Sequence, residues 1–136
     1  MNQELFPKQE NYTVEDLNPR SRAVKDLEMS ARRGIALAKL CRRHLDLCQG
    51  DVAMALRDDP RMWGSMTKKA GTKDHNPHSL LNEAFGGPHN SLLRHHWRTV
   101  FMAWYTGGLE IQIQGILRAL PKAVAKKYKP KGLGPE

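Results

Sequence analysis

A chain of 136 residues with 40% hydrophobic content is long enough for one domain with a real core and too apolar for wholesale disorder. Its 22 lysines and arginines against 14 acids leave a net charge of +8, which excludes an acidic solvating protein and asks for a polyanionic partner. Two cysteines, Cys41 and Cys48, exclude both a disulfide framework and a four-cysteine zinc site and imply a reducing, cytoplasmic setting.

Residues 1–12 are polar, are interrupted by Pro7 and carry only Leu5 and Phe6 as anchors, so they read as a flexible arm. No apolar run opens the chain and no segment reaches the length of a bilayer span, so neither a signal peptide nor a membrane contact is expected. Thr13 is placed to cap a short turn, and Asn18 before Pro19 gives the start signal of a long helix. From Arg20 onward Val24, Leu27, Ala31, Ile35, Ala38, Cys41 and Leu45 recur at three and four, which draws one inward stripe. The remaining faces carry Arg20, Arg22, Lys25, Arg32, Arg33, Lys39, Arg42 and Arg43. Gly34 falls mid-helix, where glycine costs roughly 1 kcal/mol relative to alanine, so either a neighbour packs closely there or the helix breaks in two.

Between Lys39 and Lys69 the punctuation is that of a short helix, a tight turn and a second short helix in a basic neighbourhood. Gln49, Val52, Ala53 and Leu56 define the inward side of the first helix. Asp59 followed by Pro60 starts the second, since aspartate accepts from free helix amides and proline has no amide to lose. On that helix Trp63 and Met66 turn inward, leaving Arg61, Ser65, Lys68 and Lys69 to a groove and its phosphates. This pattern resembles the helix-turn-helix regulators of phages and plasmids, with the segment spanning residues 49–69. The resemblance implies DNA binding and transcription regulation. Arg57 and Asp58 stand where that family has a glycine and an apolar residue, so the turn is made without glycine's freedom.

Beyond Lys69 the turn formers AGTKDHNP separate the two halves of the chain. Asn76 and Pro77 start a short helix with Leu80, Leu81, Ala84 and Phe85, ended by Gly86, Gly87 and Pro88. Asn90 or Ser91 caps the next, where Leu93, Trp97, Val100, Phe101 and Trp104 form the most aromatic stripe of the chain and the expected centre of the core. After Gly107 and Gly108, residues 110–114 alternate like a strand, but no partner strand is evident, and Ile113, Ile116, Leu117 and Leu120 fit a helix face. The tail from Lys122 holds five lysines and ends in glycines and prolines, so it is expected to fray or extend into solvent.

Five of the six histidines fall between His75 and His96. The segment from Asp74 to His96 loosely resembles the metal-dependent nucleases named for their histidine, asparagine and histidine, with Asp74, His75, Pro77, Gly86, Gly87 and Asn90 in matching order. That likeness would make His75 a general base on water, Asn90 its orienter and His95 or His96 a cation ligand. The family puts the pair on a β-hairpin, whereas Asn76 to Phe85 reads as helix; the gap from Asn90 to His95 is short, and the following lysine or cysteine pair is missing. No catalytic residue, metal ligand or cofactor is assigned, and the chain reads as a binding protein rather than an enzyme.

Residues 31–73 hold ten basic and four acidic side chains, and residues 107–136 hold six and two, so two separate basic blocks flank the aromatic stripe. The expectation is an all-α, single small helical domain of about five helices over residues 13–121, with the flexible arm before it and a basic C-terminal tail over 122–136. Arg42, Arg43, Gln49, Arg57, Arg61, Ser65, Lys68 and Lys69, helped by Lys126, Lys127, Lys129 and Lys131, are the candidate nucleic-acid contacts, with DNA favoured over RNA. A homodimer or docking on a protein or ribonucleoprotein complex stays open as the competing kind of partnership.

Overall fold

The computed structural model describes residues 20–60, 81, 83–84, 97–128 and 132–135. The regular elements among them are all helices: α1 (Arg22–Leu47), α2 (Val52–Arg57), α3 (Trp97–Tyr105), α4 (Gly108–Ala119) and α5 (Lys122–Ala125). Leu81, Glu83 and Ala84 are helical as well, and the fold is a small all-α domain. The N-terminal arm, Thr13, Asn18, Arg61, Ser65, Lys68, Lys69, Leu93, the histidine cluster, Lys129 and Lys131 lie outside the described residues.

Ser21 caps α1 by accepting from the Val24 amide at 3.2 Å, so the helix starts a turn later than the Asn18–Pro19 signal suggests. It then runs unbroken for 26 residues with Gly34 buried, which resolves the alternatives at that glycine in favour of one continuous rod. The expected stripe is buried, with Ile35 partly so, but it is too narrow: Ala36, Leu37, Leu40 and His44 are covered too. The reason is tertiary, because α4, α3 and α2 all pack against α1.

The end of α1 corrects the sequence expectation for Gln49. The Gly50 amide donates to the Leu45 carbonyl at 2.9 Å and the Gln49 amide to the Asp46 carbonyl at 3.0 Å, the paired bonds of a helix-terminating Schellman turn. Gln49 takes φ 57 at the left-handed position and Gly50 follows at φ 79, so Gln49 closes α1 and is not part of the next helix. Asp51 caps α2 through the Met54 amide at 3.1 Å. With that phase the inward side of α2 is Ala55, fully buried, while Ala53 is exposed and Val52 and Leu56 are half-buried. The Trp97 indole fixes this docking by donating to the Ala55 carbonyl at 2.7 Å.

Trp97, Val100, Phe101 and Trp104 are buried as the aromatic stripe predicts, and Phe101 meets Trp104 edge-on at 5.4 Å between centroids. Gly107 turns the chain at φ 88, a conformation that favours glycine, and α4 follows as a helix. Leu109 and Ile113 join the aromatic core, whereas Ile116, Leu120 and Val124 form a second cluster with Val24, Leu27 and Ala31. α1 and α4 each contribute to both clusters.

The tail departs from its expected solvated state. α5 buries Val124 against α1, and further on Leu133 is only 2% exposed, with its carbonyl accepting from the Trp104 indole at 2.7 Å. Burying a leucine side chain stabilises by about 1.5–3 kcal/mol, enough to hold a glycine-rich segment that has no helix of its own.

Candidate nucleic-acid interface

Several of the described basic residues serve the fold before they serve a ligand. The Arg42 guanidinium lies 5.5 Å from the centre of the Trp104 ring and donates to the Gly134 carbonyl at 3.2 Å, so it clasps the C-terminal segment. Arg43 is half-buried on the neighbouring position. Arg57 is exposed and holds Asp58 at 3.0 Å, a contact that raises its pKa through the hydrogen bond and the adjacent carboxylate. Gln49 is exposed at the helix end.

The C-terminal lysines are placed by α5. Lys126 and Lys127 are exposed, and Lys127 Nζ lies 3.6 Å from the Glu28 carboxylate on the N-terminal half of α1. The Tyr128 hydroxyl donates to the same carboxylate at 2.6 Å; burial first and then this hydrogen bond push its pKa up to about 12, so the phenol stays a neutral donor. Glu28 is therefore occupied by its own tail. Lys127 sits beside Glu28 and the candidate residue Gln49 just past Leu47, two points of α1 separated by about 28 Å along the axis at 1.5 Å per residue.

The described cysteines and the described histidine are buried rather than poised. Burial raises the Cys41 and Cys48 thiols, which keeps them protonated and poorly nucleophilic. His44, 2% exposed, packs edge-on to Trp97 at 5.1 Å and touches Cys48 Sγ at 3.8 Å. Among the described residues no three histidine, cysteine, aspartate or glutamate side chains are grouped to hold a metal ion. An open hollow of about 360 Å3 between the α3–α4 corner and residues 132–135 has one carboxylate in its lining, Glu110.

Sequence reasoning overlooked two arrangements. The Arg42–Trp104–Gly134 clasp needs a contact across 92 positions, and nothing local announces it. The line Lys25, Arg32, Lys39 was visible as a repeat of seven, but only the packing shows that this line is the exposed one.

Among the described residues no helix is long and apolar enough to cross a membrane. Comparison with known proteins finds no matching family model, no matching curated protein and no matching solved structure. The class defined by fold and surface is thus a small all-α domain with a basic exterior.

Proposed function

We propose that the protein binds nucleic acid, DNA in preference to RNA, as a small regulator of the phage, plasmid or bacterial type without catalysis of its own. The observation that carries this reading is the docking of α5 on α1: Lys127, far away in sequence, is held beside Glu28 on the helix that also carries Lys25, Arg32 and Lys39. Several cations fixed on one body contact several phosphates at once, and each contact releases counterion. Any sequence preference is assigned to the segment after Pro60, with Arg61 as the guanine contact and Ser65, four positions on, as the second candidate. Gln49 belongs to the end of α1, so the motif proper is shorter than its resemblance suggests.

Gel shift of duplex DNA and duplex RNA at two salt concentrations tests the reading. Binding that weakens steeply with salt is expected, stronger on DNA; salt-independent binding or none at low salt removes it. Arg61→Ala should lose about 1–3 kcal/mol on a selected site and little on a scrambled one. Equal losses on both would reduce the segment to a charged face.

One observation favours a second reading, an interaction subunit that docks on protein. Ile111 is 68% exposed, and Met102 and Tyr105 are exposed nearby in sequence. Sedimentation without nucleic acid decides it: concentration-dependent association that Ile111→Lys abolishes would promote this reading over DNA binding.

A further inference from the structure

Residues of α1 are buried in both apolar clusters, while Lys25, Arg32 and Lys39 along it are exposed. Their spacing of seven places them about 10.5 Å apart along the axis, with a drift of only about 20° per step. Lys25 and Lys39 form no ion pair among the described residues, and Arg32 holds Glu83 at 3.2 Å with both side chains largely in water, a pair weak enough to exchange. The acid beside the line, Glu28, is already taken by Tyr128 and Lys127. The next position at the same spacing is Asp46, where the cationic line ends.

We infer that this ridge of α1, extended by Lys126 and Lys127, is a contact surface for the phosphate backbone of duplex DNA, separate from the segment that would read bases. It rests on the nucleic-acid reading and adds a surface to it. Cations spaced about 10.5 Å along one straight line can each meet a different phosphate of the duplex they lie along. From Lys25 to Lys39 the line covers about 21 Å, roughly six base-pair steps of 3.4 Å. An anionic membrane fits less well, because Met29 is the one large apolar side chain exposed on α1 and a helix that lies in a bilayer surface needs an apolar face to insert.

The test uses the full chain and a 20-base-pair duplex with no selected site, titrated between about 50 and 200 mM salt. Wild type is compared with Lys25→Gln/Lys39→Gln and with Arg98→Gln/Arg118→Gln, exposed residues of α3 and α4 that remove the same charge elsewhere. The ridge variant should bind more weakly, and its slope of log affinity against log salt should shrink by about 1.8, or 0.9 per lost phosphate contact. The second variant should keep the wild-type slope. Equal slope losses in both variants, or an unchanged slope in the ridge variant while wild type binds, overturns the ridge and leaves nucleic-acid binding standing. No duplex binding by wild type at the lowest salt overturns both, and capture by phosphatidylserine vesicles in that case assigns the ridge to a membrane instead.

Discussion

Gln49 shows how a single residue misleads a motif. Glutamine followed at three, four and seven by valine, alanine and leucine matches a helix face, but Gly50 beside it is the stronger local signal, since glycine just past a run of helical periodicity commonly marks a left-handed helix end. A left-handed conformation is disfavoured for a side-chain-bearing residue by roughly 1–2 kcal/mol. Gln49→Gly should accordingly raise stability by about 1 kcal/mol, read as an increase of a few degrees in Tm; a lower Tm would mean that the glutamine side chain makes a contact worth more than the backbone strain. Arg42 misleads in the other direction, because an arginine in a basic run reads as a phosphate ligand whereas here it stacks on Trp104. Arg42→Lys keeps the charge and loses the planar stack. Amide hydrogen exchange of residues 132–134 should then accelerate while duplex affinity stays unchanged. Weaker duplex binding with intact protection of that segment would return Arg42 to the interface.

At the scale of elements, legibility followed periodicity. The stripe of α1, the aromatic stripe of α3 and the helical face of α4 were readable because each buries a repeating set against a neighbour. Leu133 was not, since one apolar residue among glycines and prolines has no period, and its burial depends on a recess over Trp104 that only the assembled helices make. The docking of α2 was also hidden, because a helix of six residues is held by its contacts more than by its propensity. His44 sits at that junction, facing the carbonyls of Ala55 and Asp58, the carboxylates of Asp58 and Asp59, Cys48 and Trp97. Burial lowers its pKa below 6.5 and outweighs the carbonyls and carboxylates, which push the other way. The unfolded chain thus takes up the proton first as pH falls, so the stabilisation from neutral His44 is complete above about pH 6.5 and is lost progressively below it, toward the lowered folded value. Denaturant midpoints measured from pH 7.5 to 5 should fall more steeply for wild type than for His44→Gln. Parallel curves would show that other groups carry the acid sensitivity.

For the whole molecule the decisive quantity is the net charge of +8 on 136 residues. Its total was legible from the start, but its arrangement was not: the sequence shows two blocks, and only the packing of α5 on α1 shows one of them folding onto the other helix's N-terminal half while Arg42 and Arg57 turn to partners of their own. Such an excess repels itself in the compact state, and salt relieves that repulsion, so the free protein should melt at the same or a slightly higher temperature as salt rises. A bound duplex acts with the opposite sign. Binding to the native state alone stabilises by about 2.7 kcal/mol when free duplex stands at one hundred times Kd, and that increment vanishes as Kd climbs with salt. Melting curves with and without duplex at about 50 and 200 mM salt should therefore diverge at the lower concentration and converge at the higher. A duplex increment that persists undiminished at high salt would point to contacts that are not phosphate contacts, and the electrostatic account of this surface would have to be abandoned.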